Sequence, residues 1–239
     1  MKDRLEVSRQ TSNSDIIFKD GRIPYSKRFE DIYFSSTNGL EEVQHVFLSG
    51  NGLPEAWQNK KKFTIVEFGF GTGLNFLVTW KFFDKTNKRA GKLHYYSIER
   101  YPLELQDMKF SISTWPELDI YFQELARKYP VLRKGFNRIS LGGGRVTLNI
   151  LVGEVNEMLN DLNLTADAWF LDGFSPSKNP SMWSQQLFDQ MTGLSKAGTT
   201  LATFSAASMV STGLAKAGFS IVKRPGYGTK REMITGIIN

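Results

Sequence analysis

The chain has 239 residues, of which 41% are hydrophobic and 23% charged, ordinary values for a folded globular protein with a sizeable core. It has no cysteine, which excludes disulfides and thiolate metal sites, and no apolar run of about 18 residues, which excludes a transmembrane helix. The net charge of +6 suits either a polyanionic partner such as nucleic acid or a mildly basic soluble enzyme. The N-terminal stretch MKDRLEVSRQTSNSD lacks the apolar segment of a signal peptide, so a cytoplasmic protein is expected.

Residues 1–20 read as loosely ordered. In residues 21–58, Asn38-Gly39 and Asn51-Gly52 are turn signals, DIYFS (31–35) reads as one arm of a short hairpin, and a helix is expected from about Gly39 to Phe47. Residues 1–58 are thus expected to form an extension and small cap on a main domain at 59–239. FTIVEF (63–68) is a β-branched apolar run that reads as a buried strand, and LNFLVTWKFFDK (74–85) has helical spacing. LHYYSIE (93–99) reads as the second strand of this domain. Residues 102–135 read as helical, because Trp115, Leu118, Phe122, Leu125 and Tyr129 recur three or four apart. VTLNILVGE (146–154), AWFLDGF (168–174), TTLATF (199–204) and FSIVKRP (219–225) are further strands. Helical stretches at 154–162, 181–194 and 205–218 separate them, and REMITGIIN (231–239) closes the chain as a strand. Strands alternating with helices imply an α/β fold with a doubly wound, mostly parallel sheet. The turn GYGTK (226–230) implies an antiparallel hairpin at its end.

In such sheets ligands bind beyond the carboxyl ends of the strands, so the turn after the first strand, VEFGFGTGLNF (66–76), is the place to look. Gly69, Gly71 and Gly73 permit a tight turn and close approach of a ligand to backbone. Glu99, at the end of the next strand, is placed to accept hydrogen bonds from ribose hydroxyls. The spacing fits neither a dinucleotide fingerprint, whose last glycine falls on Leu74, nor a P-loop, which needs Gly-Lys-Ser/Thr. The form E-x-G-x-G-x-G is that of S-adenosylmethionine-dependent methyltransferases. There the carboxylate of Glu67 suits an ammonium group and would repel a pyrophosphate.

The second informative stretch is AWFLDGFSPSKNPSMW (168–183). Its strand delivers Asp172 to the carboxyl edge, Gly173-Phe174 turns the chain, and Pro176 and Pro180 stiffen the loop beyond the turn. The next helix is expected to start near Ser181, a residue type suited to cap it. A carboxylate here can hold an amine and take its proton, and an aromatic can pack on a flat base or a sulfonium. The plain alternative is a capping aspartate with Phe174 in the core.

These stretches, with PYSKRFEDIYFSSTNGLEEVQHVFLSGNGL, HYYSIER, GRVTLNILVGEVNEML, TLATFSAAS and KRPGYGTKREMITG, resemble the methyltransferase domain of the bacterial MnmC type. The resemblance covers nearly the whole chain from about residue 22, and DGFSPSKNP is its most specific part. It implies a Rossmann-like class I methyltransferase with S-adenosyl-L-methionine as donor. The implied acceptor is tRNA carrying 5-aminomethyl-2-thiouridine at the wobble position. By resemblance Glu67, Gly69, Gly71, Gly73, Asn75, Glu99 and Glu154 bind the donor, and Asp172 is the catalytic acid-base group. Phe174, Pro176, Lys178, Lys230 and Arg231 are expected on the acceptor side. Members commonly carry Gly-Asp where this chain has Gly153-Glu154. Many also carry a flavin-dependent oxidase domain after the methyltransferase. Here that earlier step is expected from a separate domain or protein.

Other residues leave alternatives open. His45 and His94 are the only histidines and lack ligand spacing, so no metal is expected. Lys60, Lys61 and Lys62 read as a solvated linker or as a tRNA contact, and Lys223, Arg224, Lys230 and Arg231 as phosphate contacts or plain surface charge. Tyr25, Phe29 and Tyr33 are expected to line the donor pocket from the cap, with at least one of them in the core. The rival functions are a small-amine methyltransferase or aminopropyltransferase on the same sheet, and a non-catalytic RNA-binding module.

Overall fold

Two sheets organise the protein, one short and one long. The computed structural model describes residues 15–34, 38–87 and 91–239. The short sheet is antiparallel, in the order β1 (Ile16–Lys19), β2 (Ile23–Ser26), β3 (Asp31–Ile32). The expected hairpin therefore has a third strand, contributed by the end of the stretch read as loosely ordered. Burying Ile16 and setting Phe18 edge-on against Phe110 at 4.6 Å offsets the polar character of its neighbours. Of DIYFS only Asp31-Ile32 is strand, and Ser35 lies outside the described residues, as do residues 1–14. Helix α1 (Gly39–Val43) is capped by Asn38, whose side chain accepts from the Glu41 amide, and it continues as a wider turn over Gln44–Leu48. The helix expected to end at Phe47 is thus present in two forms.

The long sheet begins with β4 (Lys62–Phe68), buried from Phe63 to Phe68 because both of its faces are covered. There follow α2 (Leu74–Thr86), β5 (Lys92–Glu99), α3 (Leu105–Ile112), α4 (Asp119–Lys128), β6 (Gly135–Leu141) and β7 (Val146–Val152). The chain continues through α5 (Val155–Asn160), β8 (Ala168–Leu171), α6 (Gln185–Gly193), β9 (Thr200–Thr203), α7 (Ser208–Lys216), β10 (Phe219–Pro225) and β11 (Glu232–Ile238). The strand order is β10-β11-β9-β8-β4-β5-β7-β6. Strands β9, β8, β4, β5 and β7 run parallel, whereas β11 is antiparallel to both of its neighbours, as the closing GYGTK turn implies. This is a doubly wound, Rossmann-like α/β architecture with a mostly parallel sheet. Among the described residues no helix is long and apolar enough to cross a membrane.

The segment 102–135 departs from its helical reading. A 3-10 turn at Pro116–Leu118 separates α3 from α4, and α4 stops at Lys128, ahead of Tyr129-Pro130. A residue before proline is pushed out of the helical region, which accounts for both breaks. Leu118, Phe122 and Leu125 are nonetheless one buried face, with Trp115 and Tyr129 packed against it. The antiparallel edge strand β6 was not expected, since its outward residues Phe136, Arg138 and Ser140 leave no continuous apolar run. Ser184, rather than Ser181, caps α6 by accepting from the Leu187 amide.

The chain proceeds from β4 through β5 to β7 on one side and from β8 to β9 on the other. The switch point lies between β4 and β8, where Phe68 and Leu171 are register partners. A crevice is expected beyond those two ends.

Candidate active site

The turn leaving β4 has positive φ at Gly69 (86°), Gly71 (49°) and Gly73 (78°). At Gly69 glycine is obligatory for a second reason: a Cβ there would lie 2.6 Å from the Asp172 carbonyl oxygen. The two strand exits therefore touch, and the glycine turn comes to rest beside Asp172. Between them and the cap opens a cavity of about 420 Å³, within the range of small-molecule sites. Its walls include Gly69, Gly71, Asn75, Glu99, Glu154, Asp172, Phe174 and Lys230 from the expected set.

Asp172 lines the cavity and, among the described residues, its side chain accepts one hydrogen bond, from Asn75 Nδ2 to Oδ2 at 2.5 Å. Burial pushes its pKa up to about 7. The Asn75 hydrogen bond opposes the rise, nearby Glu42 adds to it, and Lys230 again opposes it. Glu67 lies beneath the cavity rather than in its wall and is wholly buried. Its Oε1 accepts from Asn75 Nδ2 at 2.9 Å and its Oε2 from Ser97 Oγ at 2.6 Å. Burial pushes its pKa up to about 8. Its oxygens thus face protein donors from α2 and β5.

At the other end of the cavity, Glu99 Oε2 accepts from the Gly71 amide at 3.0 Å and Oε1 from the Tyr101 amide at 2.7 Å. Burial raises its pKa, and these backbone donors oppose the rise. The Phe70 and Arg100 amides act on it in the same sense. Glu154 forms an ion pair with Arg100, and both residues line this end.

The cap supplies an aromatic wall. Phe29 stacks on Phe174 with centroids 4.6 Å apart, and Tyr33 meets the same ring edge-on at 5.2 Å. One face of Phe174 is therefore already covered. Tyr33 also packs against Gly71, and Phe29 and Tyr33 both line the cavity, whereas Tyr25 lies under Lys19 outside it. Asp31 accepts from the Ser175 amide at 3.2 Å, which ties cap to loop.

The remaining expected residues divide. Lys230 lines the cavity with its Nζ 2.8 Å from Glu42 Oε1 and 4.0 Å above the Phe204 ring. Lys178 is exposed and pairs with Glu30 at 3.1 Å; Pro176 and the exposed Arg231 also lie outside the wall. Lys60 reaches Asp167, at the amino end of β8, so it belongs to the sheet edge opposite the cavity. Sequence reasoning missed Glu42, which is 8% exposed and meets Lys230 across 188 residues of chain. One of two adjacent acids on a short helix carries no signal of such a partner. Among the described residues no three His, Asp or Glu side chains gather as metal ligands.

A glycine turn that lets a ligand lie on backbone, and a carboxylate in the cavity wall one strand away, fit a nucleoside. The cavity's size leaves room for an amino-acid appendage toward Asn75 and Asp172. Comparison with known proteins agrees. A tRNA 5-methylaminomethyl-2-thiouridine biosynthesis bifunctional protein MnmC from Chromobacterium violaceum is 46% identical over 230 residues, covering 95% of this chain and 35% of that protein. Its counterpart from Stutzerimonas stutzeri is 43% identical over 227 residues, covering 94% and 34%. The chain thus spans about a third of the length of the curated relatives it matches. The crystal structure of MNMC2 from Aquifex aeolicus superposes with a TM-score of 0.79 over 97% of this chain and 72% of that one, at 23% identity, and so shares the fold. The profile of a family described as S-adenosyl-L-methionine-dependent methyltransferase matches residues 116–239, more than half of the chain, and the protein belongs to that family.

Proposed function

We propose that the protein methylates the 5-aminomethyl nitrogen of wobble 2-thiouridine in tRNA, giving 5-methylaminomethyl-2-thiouridine. The observation that carries the reading is Asp172, a carboxylate in the cavity wall at the switch point with no cation bonded to it among the described residues. The relatives named for this tRNA modification, matching across 94–95% of the chain, supply the acceptor.

The bound donor supplies an electrophilic methyl group on sulfur. The acceptor nitrogen must offer a lone pair, yet a free alkylammonium is protonated at neutral pH. Asp172 accepts a hydrogen bond from the alkylammonium and takes one proton from it, which frees the lone pair; the N–C bond then forms as the S–C bond breaks, leaving a methylammonium and a neutral thioether. Its pKa of about 7 keeps it able both to receive that proton and to return it to solvent. Phe29, Tyr33 and Phe174 exclude water from one side of the cavity, which strengthens the carboxylate's field. Gly71 and Glu99 hold the nucleoside end, and Lys230 and Glu42 border the other. Formation of the aminomethyl acceptor is assigned to a separate domain or protein, in keeping with relatives named as bifunctional.

The test is methyl transfer from labelled S-adenosyl-L-methionine to tRNA that carries the aminomethyl group, with tRNA lacking it as control. Label at the wobble nucleoside of the first tRNA alone is the expected result. Label on free amines but not on tRNA would move the assignment to a small-amine methyltransferase. Donor binding without any transfer would leave an RNA-binding module.

A further inference from the structure

Asn75 is the residue through which the buried Glu67 and the half-buried Asp172 meet. Its Nδ2 donates to Glu67 Oε1 at 2.9 Å and to Asp172 Oδ2 at 2.5 Å. An amide nitrogen carries two hydrogens, so both are spent on protein carboxylates. Asn75 is itself firmly held, being 6% exposed in the first turn of α2 directly after the glycine turn. Glu67 is fixed from β5 by the Ser97 hydroxyl. Asp172 has no other side-chain hydrogen bond among the described residues. The terminal torsion of an aspartate is broad, so burial alone does not fix the plane of the carboxylate. The Asn75 hydrogen bond fixes it, with one oxygen held and the other free.

We propose that Asn75 is a positioning residue for methyl transfer: it clamps Asp172 Oδ2 to the buried Glu67, so that Oδ1 is left to receive the acceptor amine. The proposal rests on the reading of Asp172 as proton acceptor. It also revises the expected role of Asn75 as a donor ligand, since only its Oδ1 remains for any bound molecule.

The groups that face Asp172 are Asn75 from α2, Glu42 from α1 and Lys230 from the hairpin between β10 and β11. Those that face Glu67 are Ser97 and Tyr95 from β5, Asn75, and Asp172 itself. Of the groups facing Asp172, Asn75 and Lys230 favour the ionised carboxylate and Glu42 opposes it. Removing the Asn75 amide therefore raises the pH at which Asp172 ionises.

The experiment compares the parent protein with Asn75→Ala and Asn75→Ser. It measures S-adenosyl-L-methionine affinity by calorimetry, kcat against pH with aminomethyl-bearing tRNA, and the titration of the Asp172 carboxyl by carbon-13 NMR. For Asn75→Ala the expected result is a fall in kcat of about 10- to 100-fold with donor affinity kept within about threefold. The acid limb of the rate profile and the Asp172 titration both move to higher pH. Asn75→Ser, with one hydroxyl hydrogen able to serve only one carboxylate, falls between the two, and it carries the test alone where the alanine variant does not fold. Loss of donor affinity by the same factor as kcat/KM would make Asn75 a donor ligand and overturn the proposal. So would an Asp172 titration unmoved in either variant. Full turnover by Asp172→Asn would overturn the underlying reading instead. The NMR titration tells the two failures apart, because it reads the hydrogen bond without turnover.

Discussion

Strand β8 has an aspartate just beyond each end, and the two are in opposite electrostatic states. Asp167 precedes the strand. Its Oδ1 meets Lys60 Nζ at 2.9 Å and Lys196 Nζ at 3.1 Å, and its Oδ2 accepts from the Thr64 amide at 2.8 Å. Burial alone would raise its pKa, but these donors together hold it below the usual carboxylate range. Asp172 follows the strand, receives one neutral amide and lies near the acid Glu42, so burial prevails and its pKa climbs to about 7. Desolvation pushes both carboxylates up, Asp172 the more strongly; two lysines and the Thr64 amide overcome it at Asp167, and the Asn75 amide does not at Asp172.

Exchanging each for asparagine breaks the comparison most directly. Asp172→Asn is expected to lower turnover by roughly 1,000-fold, about 4 kcal/mol of barrier, because asparagine cannot take the amine's proton. Asp167→Asn is expected to leave turnover within about threefold, since its side chain serves the opposite edge of the sheet. Methyl transfer at saturating donor measures both, and an active Asp172→Asn protein would falsify the assignment.

Stability is expected to run the other way. Asp167→Ala strands a buried Thr64 amide and removes the partner of two lysines, at a cost of about 2–3 kcal/mol. The lysine side chains are 43% and 54% exposed, which keeps the figure below that of a fully buried pair. Its folded pKa is depressed, so its contribution is present above the unfolded value of about 4 and is lost as pH falls through the folded value. The gap between parent and variant in urea unfolding should therefore narrow in acid to what the Thr64 amide alone contributes.

Asp172 has the opposite sign. Its folded pKa of about 7 lies above the unfolded value, so ionising it opposes folding; that cost is absent below about pH 4, grows between there and pH 7, and is complete above. Asp172→Asn keeps the acceptor for Asn75 and removes the charge. It is expected to stabilise the protein by about 1–2 kcal/mol near pH 8, a figure discounted for water in the cavity, and by nothing near pH 4. Equal unfolding midpoints for parent and variant across that range would mean that Asp172 is not held in a charge-averse setting.

Much of the carboxyl edge was legible in the sequence, because the signals there are local. FTIVEF is a buried run ending at a glycine turn that only glycine can make, and AWFL delivers Asp172 by the same logic. The donors that separate Asp167 from Asp172 were not legible. Lys60 lies 107 residues from Asp167, and Lys230 lies 188 from Glu42, so no periodicity or spacing joins them. The place of Glu67 in the glycine motif is visible in the sequence, and its depth beneath the cavity is not. Edge strand β6 was lost for a different reason: an alternating strand with solvent on one side looks polar once the helical spacing before it is extended too far.

The smallest expected effect tests whether Lys230 belongs to this electrostatic setting or to tRNA. Its Nζ bridges to Glu42, and the hairpin that carries it is tied down again by Tyr227, whose hydroxyl donates to Glu41 at 2.6 Å. Lys230→Met removes a cation that favours ionised Asp172 and takes from Glu42 the charge that offsets it, and both changes push the Asp172 pKa further up. Turnover near neutral pH should fall about threefold, roughly 0.7 kcal/mol, with the acid limb moved to higher pH. Near pH 9, where Asp172 is ionised in both proteins, the two rates should meet. A phosphate contact behaves differently: it would raise KM for tRNA in a salt-dependent way and leave the acid limb in place. A deficit that persists near pH 9 with an unmoved acid limb would therefore remove Lys230 from the set of groups tuning Asp172, and would leave Glu42 and the Asn75 amide as the side chains that hold it apart from Asp167.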